Sequence, residues 1–258
     1  MRLKLFTAPT EEPIDLEVVK NHLKVDGIED NVLITSLIKS ARLTAENETK
    51  RAFITQTWRL YFDSVRAEIE IPKPPLQSIE SIKTISSIET LVDETADKDQ
   101  PVLKVALTTG FSPADTVIVN RDDTREENMT ILSVQVDVSL TFTMNLTHVH
   151  TSAQADKVEK CVLVAASKYY VDASENSPGR VKLRSGSNWP IHRGFASFII
   201  EFKAGYGDAG SDLPEGLLQG ILVLIGHMYE NRGDEEAKKA AIQEALKLYF
   251  YPYKILNI

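Results

Sequence analysis

Apolar residues recur at two different spacings along this 258-residue chain, which indicates separate helical and strand regions. Leu16, Val19 and Leu23 share one helix face, and Asp15 is a candidate N-cap for that helix. A second apolar stripe across residues 30–50 predicts a longer helix. We therefore expect a helical hairpin at the start of the chain.

The next segment follows the two-residue period of a strand. Residues 57–62, Thr-Trp-Arg-Leu-Tyr-Phe, place alternate side chains on opposite faces, so one face can be buried. Pro72, Pro74 and Pro75 then interrupt the ladder, because proline has no amide hydrogen to donate. Strands are predicted at residues 55–63, 68–71, 79–86, 102–107, 116–119, 129–136, 139–146, 162–171 and 195–202.

Helical spacing returns near the C-terminus. Asp212 is a cap candidate, Pro214 suits a first turn, and Gly233 suits the C′ position of the same helix. Residues 217–225 are apolar on nearly every side, which predicts a central helix. A last helix is predicted over residues 235–249, before an aromatic tail.

This order of elements predicts an α+β fold. The N- and C-terminal helices would form a helical bundle, with a β-sheet domain between them and an inserted small all-β, barrel-like subdomain. A charged, apolar-poor linker at residues 93–100 marks the start of the insertion. The expected units are residues 1–53 and 212–258 for the bundle and tail, 54–94 and 160–211 for the β domain, and 95–159 for the insertion.

Composition excludes several classes of function. The formal net charge of -8 disfavours a protein that grips nucleic-acid phosphates, although an acidic surface would let DNA pass. The single cysteine, Cys161, excludes internal disulfides, and the first residues lack a secretory signal, so we expect synthesis in a reducing cytoplasm. The longest apolar run, at residues 217–229, is shorter than a membrane span, so no membrane partner is expected.

Few residues suggest chemistry. Residues 205–210 match G-x-G-x-x-G, but no repeating βαβ pattern surrounds them, so a glycine-rich turn is favoured over a dinucleotide site. His148 and His150 could supply two metal ligands, yet Asp156 is not obviously placed as a third, which favours a solvated strand end. Cys161 is expected to pack rather than react. We predict no enzyme, with no catalytic, cofactor or metal site.

The tail is unusual because large apolar groups crowd a terminus that would ordinarily be polar. Two interpretations are open: the tail packs onto the chain's own core, or it docks into a partner. The residues concerned are Tyr249, Phe250, Tyr251, Tyr253, Ile255 and Leu256.

Several segments together resemble the tailed-phage head-tail connector family, also called adaptor or head-completion proteins. They include Ile-Thr-Gln-Thr-Trp-Arg-Leu at residues 54–60, Pro-Pro-Leu-Gln-Ser-Ile at 74–79 and Ala-Gly-Tyr-Gly at 204–207. The resemblance covers roughly residues 1–92 and 160–258, and its specificity lies in the order of the segments. The other segments are residues 16–26, 179–181, 189–190 and 213–232.

The resemblance implies a structural virion protein at the neck, assembled in the host cytoplasm. Such proteins form a ring, typically a dodecamer, beneath the portal protein, and the ring joins the DNA-filled capsid to the tail and provides a DNA channel. It implies that the tail residues named above bind the portal, and that a stopper or tail-completion protein binds the other side.

The insertion at residues 95–159 departs from the family pattern and leaves a further partner open, such as a capsid or fibre protein. It also carries the alternative hypothesis, a receptor- or carbohydrate-binding virion module acting through the inserted strands. Phe111 and Phe142 are the only aromatic residues there, so the sequence offers no clustered aromatic platform for a sugar.

Overall fold

The computed structural model describes residues 1–175, 177–231 and 235–255. Two predicted positions, Gly233 as a helix C′ residue and Leu256 in the tail, lie outside these ranges. The described residues form both helices and strands, which agrees with the α+β class predicted from the pattern.

The helices form at the two ends of the chain and the strands between them. The helices are α1 (Leu16–Leu23), α2 (Asn31–Thr49), α3 (Glu215–Glu230) and α4 (Glu235–Ala245). The strands are β1 (Arg2–Thr7), β2 (Gln56–Phe62), β3 (Glu68–Ile71), β4 (Leu76–Leu91), β5 (Val102–Lys104), β6 (Thr116–Val119), β7 (Glu127–Gln135), β8 (Ser139–Phe142), β9 (Lys157–Leu163), β10 (Tyr169–Asp172), β11 (Gly179–Leu183) and β12 (Phe198–Ala204).

The four helices share one apolar core. Val19 of α1, Ile34 of α2 and Leu217 of α3 are fully buried in it. Further along α3, Ile221 and Leu224 are also fully buried in the same core. The buried positions of α3 lie on one side of the helix, from Leu217 through Ile221 and Leu224 to Met228, rather than on nearly every side as predicted. Because α3 contacts α1, α2 and α4, it is still the central helix of the four.

The start of α3 differs from the prediction. Asp212 lies in a 3₁₀ turn, where its carboxylate accepts the Ala209 amide at 3.0 Å instead of capping α3. Leu213 is extended and separates Asp212 from the helix, so Pro214 becomes the N-cap residue. Asp15 is the N-cap of α1, as predicted, but its side chain makes no capping hydrogen bond.

Among the described residues, nine strands form one antiparallel sheet in the order β1-β2-β12-β4-β9-β6-β7-β8-β5. The long strand β4 joins its two halves, because its first part pairs with β12 and its last part pairs with β9. A second sheet, β10-β11-β3, packs with the first around Leu60, Ile71, Val181 and Phe198.

Strands β5 to β9 surround a second core, which they share with the end of β4. From β9 the sheet order continues through β6, β7 and β8 to β5. Beyond β5, Val105 bridges to Val92, and the Asp93 amide donates to the Lys104 carbonyl at 3.0 Å. The order thus returns to the end of β4 and surrounds a cluster that includes buried Leu140.

Some strand predictions were wrong in extent. Residues 162–171 were predicted as one strand, but they contain the end of β9 and most of β10, which lie in different sheets. A 3₁₀ turn at Ala166–Lys168 redirects the chain between them. Two strands, β1 and β11, were not predicted; β1 is a largely exposed edge strand, so little of its sequence is constrained by burial.

No helix among the described residues is long and apolar enough to cross a membrane.

Candidate interaction surfaces

The aromatic tail turns back onto the helices after α4. A π-helical turn at Leu246–Phe250 and a 3₁₀ turn at Tyr251–Tyr253 follow the last α-helical residue, Ala245. Phe250 is fully buried in the helical core, whereas Tyr251 is 60% exposed. The tail therefore has an inner side that packs on the chain and an outer side that faces solvent.

Two glycines of α3 provide the surface on which the tail lies. A β-carbon at Gly220 would lie 2.7 Å from Cβ of Tyr249 and 2.8 Å from Cζ of Phe250. A β-carbon at Gly216 would lie 2.8 Å from the Tyr253 hydroxyl. Because these distances are shorter than van der Waals contact, larger residues at either position would displace the tail.

Polar contacts attach the tail to the end of α2. Buried Arg51 donates from Nε to the Tyr253 carbonyl at 2.6 Å, and the Ile255 amide donates to the Thr49 carbonyl at 3.0 Å. Lys254 adds an ion pair with a glutamate of α2 at 2.6 Å. These contacts support self-packing for the inner side of the tail, whereas portal binding by the tail stays a prediction.

A charged cluster joins a turn of the insertion to β2 and β12. Arg59 of β2 is nearly buried; its Nη2 donates to Glu126 at 2.8 Å and its Nε donates to Glu201 at 2.7 Å. The Tyr61 hydroxyl donates to Asp122 in the same turn of the insertion. Burial alone would lower the pKa of Arg59, but the bonds to Glu126 and Glu201 outweigh burial and raise it. The cluster thus fixes the insertion against β2.

The prediction of a solvated strand end at the two histidines was wrong for His150. His150 is fully buried, with Nε2 3.0 Å from Glu127 Oε1 and Nδ1 3.1 Å from Asn120 Nδ2. The Lys157 amide donates to Asn120 Oδ1, so Asn120 Nδ2 is the group that donates to His150. Nε2 is then the ring nitrogen that donates to Glu127. His148 has a 42% exposed side chain.

Glu127 explains why this segment folds inward. Its carboxylate accepts the amides of Thr147 and His148, which bends the chain after β8 across β7 and carries His150 into the core. Burial would raise the pKa of Glu127, but the hydrogen bonds, from the Thr147 amide first, outweigh burial and lower it. In the part of the chain that the structure describes, no group of three or more His, Cys, Asp and Glu residues could hold a metal ion.

Asp156 is bound in the same region. Arg125 donates to both carboxylate oxygens, at 2.8 and 2.9 Å, and the Thr151 amide donates to one of them at 2.8 Å. Burial would raise the pKa of Asp156, but these bonds, the Arg125 bond first, lower it. Glu127, His150 and Asp156 are therefore bound by neighbouring groups of the insertion, which indicates a structural role for these three residues.

The glycine motif forms a turn where backbones cross closely, as the sequence favoured. Gly205 has φ +139°, and a β-carbon there would lie 2.7 Å from the Ile54 carbonyl. A β-carbon at Gly210 would lie 2.0 Å from the Pro13 carbonyl oxygen.

Cys161 packs in β9, as expected, and burial raises the pKa of its thiol to about 12.

Comparison with known proteins gives a family match over the first third of the chain. Residues 13–101 match the family described as Phage gp6-like head-tail connector protein. This segment contains α1, α2, β2, β3 and β4, and the match confirms the resemblance to head-tail connectors read from the sequence. No curated protein matches the sequence.

Three solved structures share the fold over the whole chain. The structure described as the neck of an empty GTA particle computed with C6 symmetry has a TM-score of 0.58 at 14% identity. The virion of a native gene transfer agent (GTA) particle has a TM-score of 0.56 at 16% identity, and the neck of a native GTA particle computed with C12 symmetry has 0.55 at 15%. Each likeness covers 100% of this chain and 97% of the other.

Proposed function

We propose that this chain is a structural virion protein, a head-tail connector whose copies form a ring at the neck beneath the portal. The family match over residues 13–101 carries the proposal. Full-length likeness in fold to proteins in neck structures with C6 and C12 symmetry supports it, and a dodecamer is the ring that we propose. The ring joins the capsid to the tail and surrounds a DNA channel.

The charge of the chain suits a channel that DNA passes through. With 37 acidic and 29 basic residues, the protein carries a net charge of -8, so it has little capacity to retain phosphates by counterion release. Its buried ionisable groups, such as Arg59 and Glu126, are bound to each other, which suits a scaffold that acts without turnover.

We assign three units to this connector: the helical bundle with the tail, the β domain, and the insertion at residues 95–159. The bundle would build the ring. The insertion would reach a further neck component, such as a capsid or fibre protein, and a stopper or tail-completion protein would bind opposite the portal. Rigid attachment of the insertion through Arg59 supports a role in which its orientation matters.

The portal contact belongs to the outer side of the tail. Phe250 is occupied in the core, so Tyr251, 60% exposed, is the accessible aromatic anchor. Ile255, partly buried, and Leu256 would complete the contact. Aromatic side chains suit this role because they bury large areas at an interface.

Mass measurement of the purified chain, alone and mixed with the portal protein from the same particle, tests the function. We expect a ring, and a complex of ring and portal. Tyr251→Ala should leave the ring and the fold intact but weaken portal attachment at least tenfold, whereas Tyr170→Ala, at another exposed tyrosine, should not. A chain that stays monomeric and ignores the portal would overturn the proposal.

The alternative hypothesis of a carbohydrate-binding insertion gains no support. Phe111 and Phe142 are both buried in the core of the insertion. Neither ring is available to stack on a sugar, so we do not propose this function.

A further inference from the structure

Arg51, just beyond the end of α2, is a buried cation that binds the main chain of two distant segments. Its Nε donates to the Tyr253 carbonyl of the tail at 2.6 Å. Its Nη1 donates to the Glu175 carbonyl, in the loop that follows β10, at 2.9 Å. One guanidinium therefore joins the tail to this loop.

The loop after β10 has little else to hold it in place. The ladder between β10 and β11 ends at the pair of Asp172 and Arg180. Among the described residues of the loop, 173–175 and 177–178, the bond from Arg51 to the Glu175 carbonyl is the one hydrogen bond to the rest of the chain. Glu175 and Ser177 are exposed. The position of the loop therefore depends on Arg51.

The orientation of Arg51 depends in turn on the tail. A buried charged donor that loses its acceptor is costly, so without the Tyr253 carbonyl the guanidinium would turn toward water. The donors of an arginine lie in one plane with fixed directions. A rotation that takes Nε out to solvent would therefore also take Nη1 away from the Glu175 carbonyl.

The end of the tail, residues 253–255, can leave the helices without opening the core. Its attachments to the end of α2 are the polar contacts described above. Tyr253 and Ile255 are only partly buried, whereas Phe250, which precedes them, is fully buried. A partner that engages Ile255 would reach all of it only by drawing this segment away, while Phe250 stays in place.

We propose that Arg51 couples the two segments, so that a partner which draws residues 253–255 off α2 also releases the loop after β10. Docking at the tail is thereby transmitted to the second sheet, to which β10 belongs. The use of this coupling in the neck rests on the proposed function, since the partner at the tail is the portal protein. The coupling itself is a property of the single chain.

A nitroxide label on Ser177→Cys in the full chain measures the mobility of the loop. Ser177 is exposed, and Cys161 is buried and stays unlabelled. The same label on Ser133→Cys, exposed in β7, is the control position. Electron paramagnetic resonance gives the rotational correlation time of each label.

A tail-release variant combines two changes that detach residues 253–255 by other contacts than Arg51. Lys254→Glu places a like charge against Glu48, and Ile255→Pro removes the amide that donates to the Thr49 carbonyl. Lys254 is extended, with φ -66° and ψ 129°, which a following proline allows.

Tail release should shorten the correlation time at Ser177 by about twofold or more and leave it unchanged at Ser133. Lys247→Glu is the matched charge control, because this lysine is exposed and lies before the segment. It should change neither label.

The role of Arg51 is tested by the same comparison without its fork. Arg51→Met removes both bonds and should mobilise the Ser177 label as much as tail release does. Tail release in the Arg51→Met background should then add nothing, because the link is already broken. Arg51→Lys keeps the charge without the planar fork and should behave as Arg51→Met does, and circular dichroism checks that each variant is folded.

A Ser177 label that ignores tail release would overturn the inference. Equal mobilisation with and without Arg51 would also overturn it, since the two segments would then be linked by another route. Binding of the portal protein to the otherwise unmodified labelled chain should mobilise Ser177, and an unchanged or lower mobility in that complex would contradict transmission to the loop. If the portal protein does not bind, the proposed function fails, and the tail-release comparison still decides the coupling.

Discussion

Gly220 of α3 lies directly against the ring of Phe250, so that a β-carbon on Gly220 would come within 2.8 Å of Cζ. Glycine in a helix interior costs up to about 1 kcal/mol relative to alanine, and here its absence of a side chain makes room for the tail. The relationship predicts that the backbone of α3 and the inner side of the tail are matched in shape.

We predict that Gly220→Ala lowers the free energy of unfolding by about 1–3 kcal/mol, the usual cost of overpacking. Chemical denaturation measures it. Gly226→Ala is the matched control on the same helix, because a β-carbon there would meet only His22 Nε2, at 3.8 Å. That variant should be neutral or slightly stabilising. Equal losses at both positions would contradict close packing of the tail at Gly220.

Replacing each of the two neighbouring tail aromatics with alanine should show which side chain packs in the core and which lies on the surface. Phe250→Ala should cost about 3–5 kcal/mol of unfolding free energy, because it opens a cavity in the helical core. Tyr251→Ala should change it by less than about 0.5 kcal/mol, since the side chain is mostly exposed. Thermal or urea unfolding checks both. A Phe250→Ala variant as stable as the parent would show that the tail is not part of the core in solution.

Removal of the Arg59 side chain should loosen the turn at residues 120–126 from β2. Arg59→Ala leaves Glu126 buried without its partner, so we expect a loss of about 3–5 kcal/mol. Hydrogen exchange should show the largest gain in residues 120–126. Arg180→Ala, which breaks only exposed ion pairs, should leave stability and exchange close to those of the parent. Similar effects from the two arginines would argue that the Arg59 cluster does not hold the insertion.

Local pattern predicted much of the fold because burial leaves a period in the sequence. The stripe on α2 and the alternation in β2 follow directly from which side faces the core. The burial of individual tail residues could not be predicted in the same way, because Phe250 and Tyr251 are both aromatic. Only the position of Gly220 decides which of the two is buried. The glycine within the apolar sequence of α3 is the feature from which the buried residue could have been predicted.

Charged residues were the least predictable part of the structure. Glu126 and Asp122 look like solvated loop acids in the sequence, and Arg59 looks like the exposed side of an alternating strand. The burial of Arg59 and Glu126 follows from the path of the insertion, which brings a turn of residues 120–126 over β2. His150 was misjudged for the same reason, because its partner Glu127 lies 23 residues earlier in the chain.

Acid should weaken the insertion through Glu127 and Asp156. Both carboxyls have a lower pKa in the folded chain than their ordinary values of 4.5 and 3.8. Their charged forms therefore stabilise the fold fully above those values, and the contribution is lost as pH falls through the lower, folded pKa. Glu46 acts in the opposite sense, because burial raises its pKa. The effect of one carboxyl must therefore be isolated by comparison with a variant.

We predict that Glu127→Gln lowers the free energy of unfolding at pH 7 by about 1–3 kcal/mol, because the amides and the imidazole lose a charged acceptor. At pH 3 the parent has lost part of the same contribution, so the difference between the two proteins should shrink. Urea unfolding at both values measures it, with Glu94→Gln, at an exposed ion pair, as the control that stays near zero. An equal difference in unfolding free energy at pH 7 and pH 3 would mean that Glu127 acts through packing alone. A difference that grows in acid would show that folding raises the pKa of Glu127 instead of lowering it.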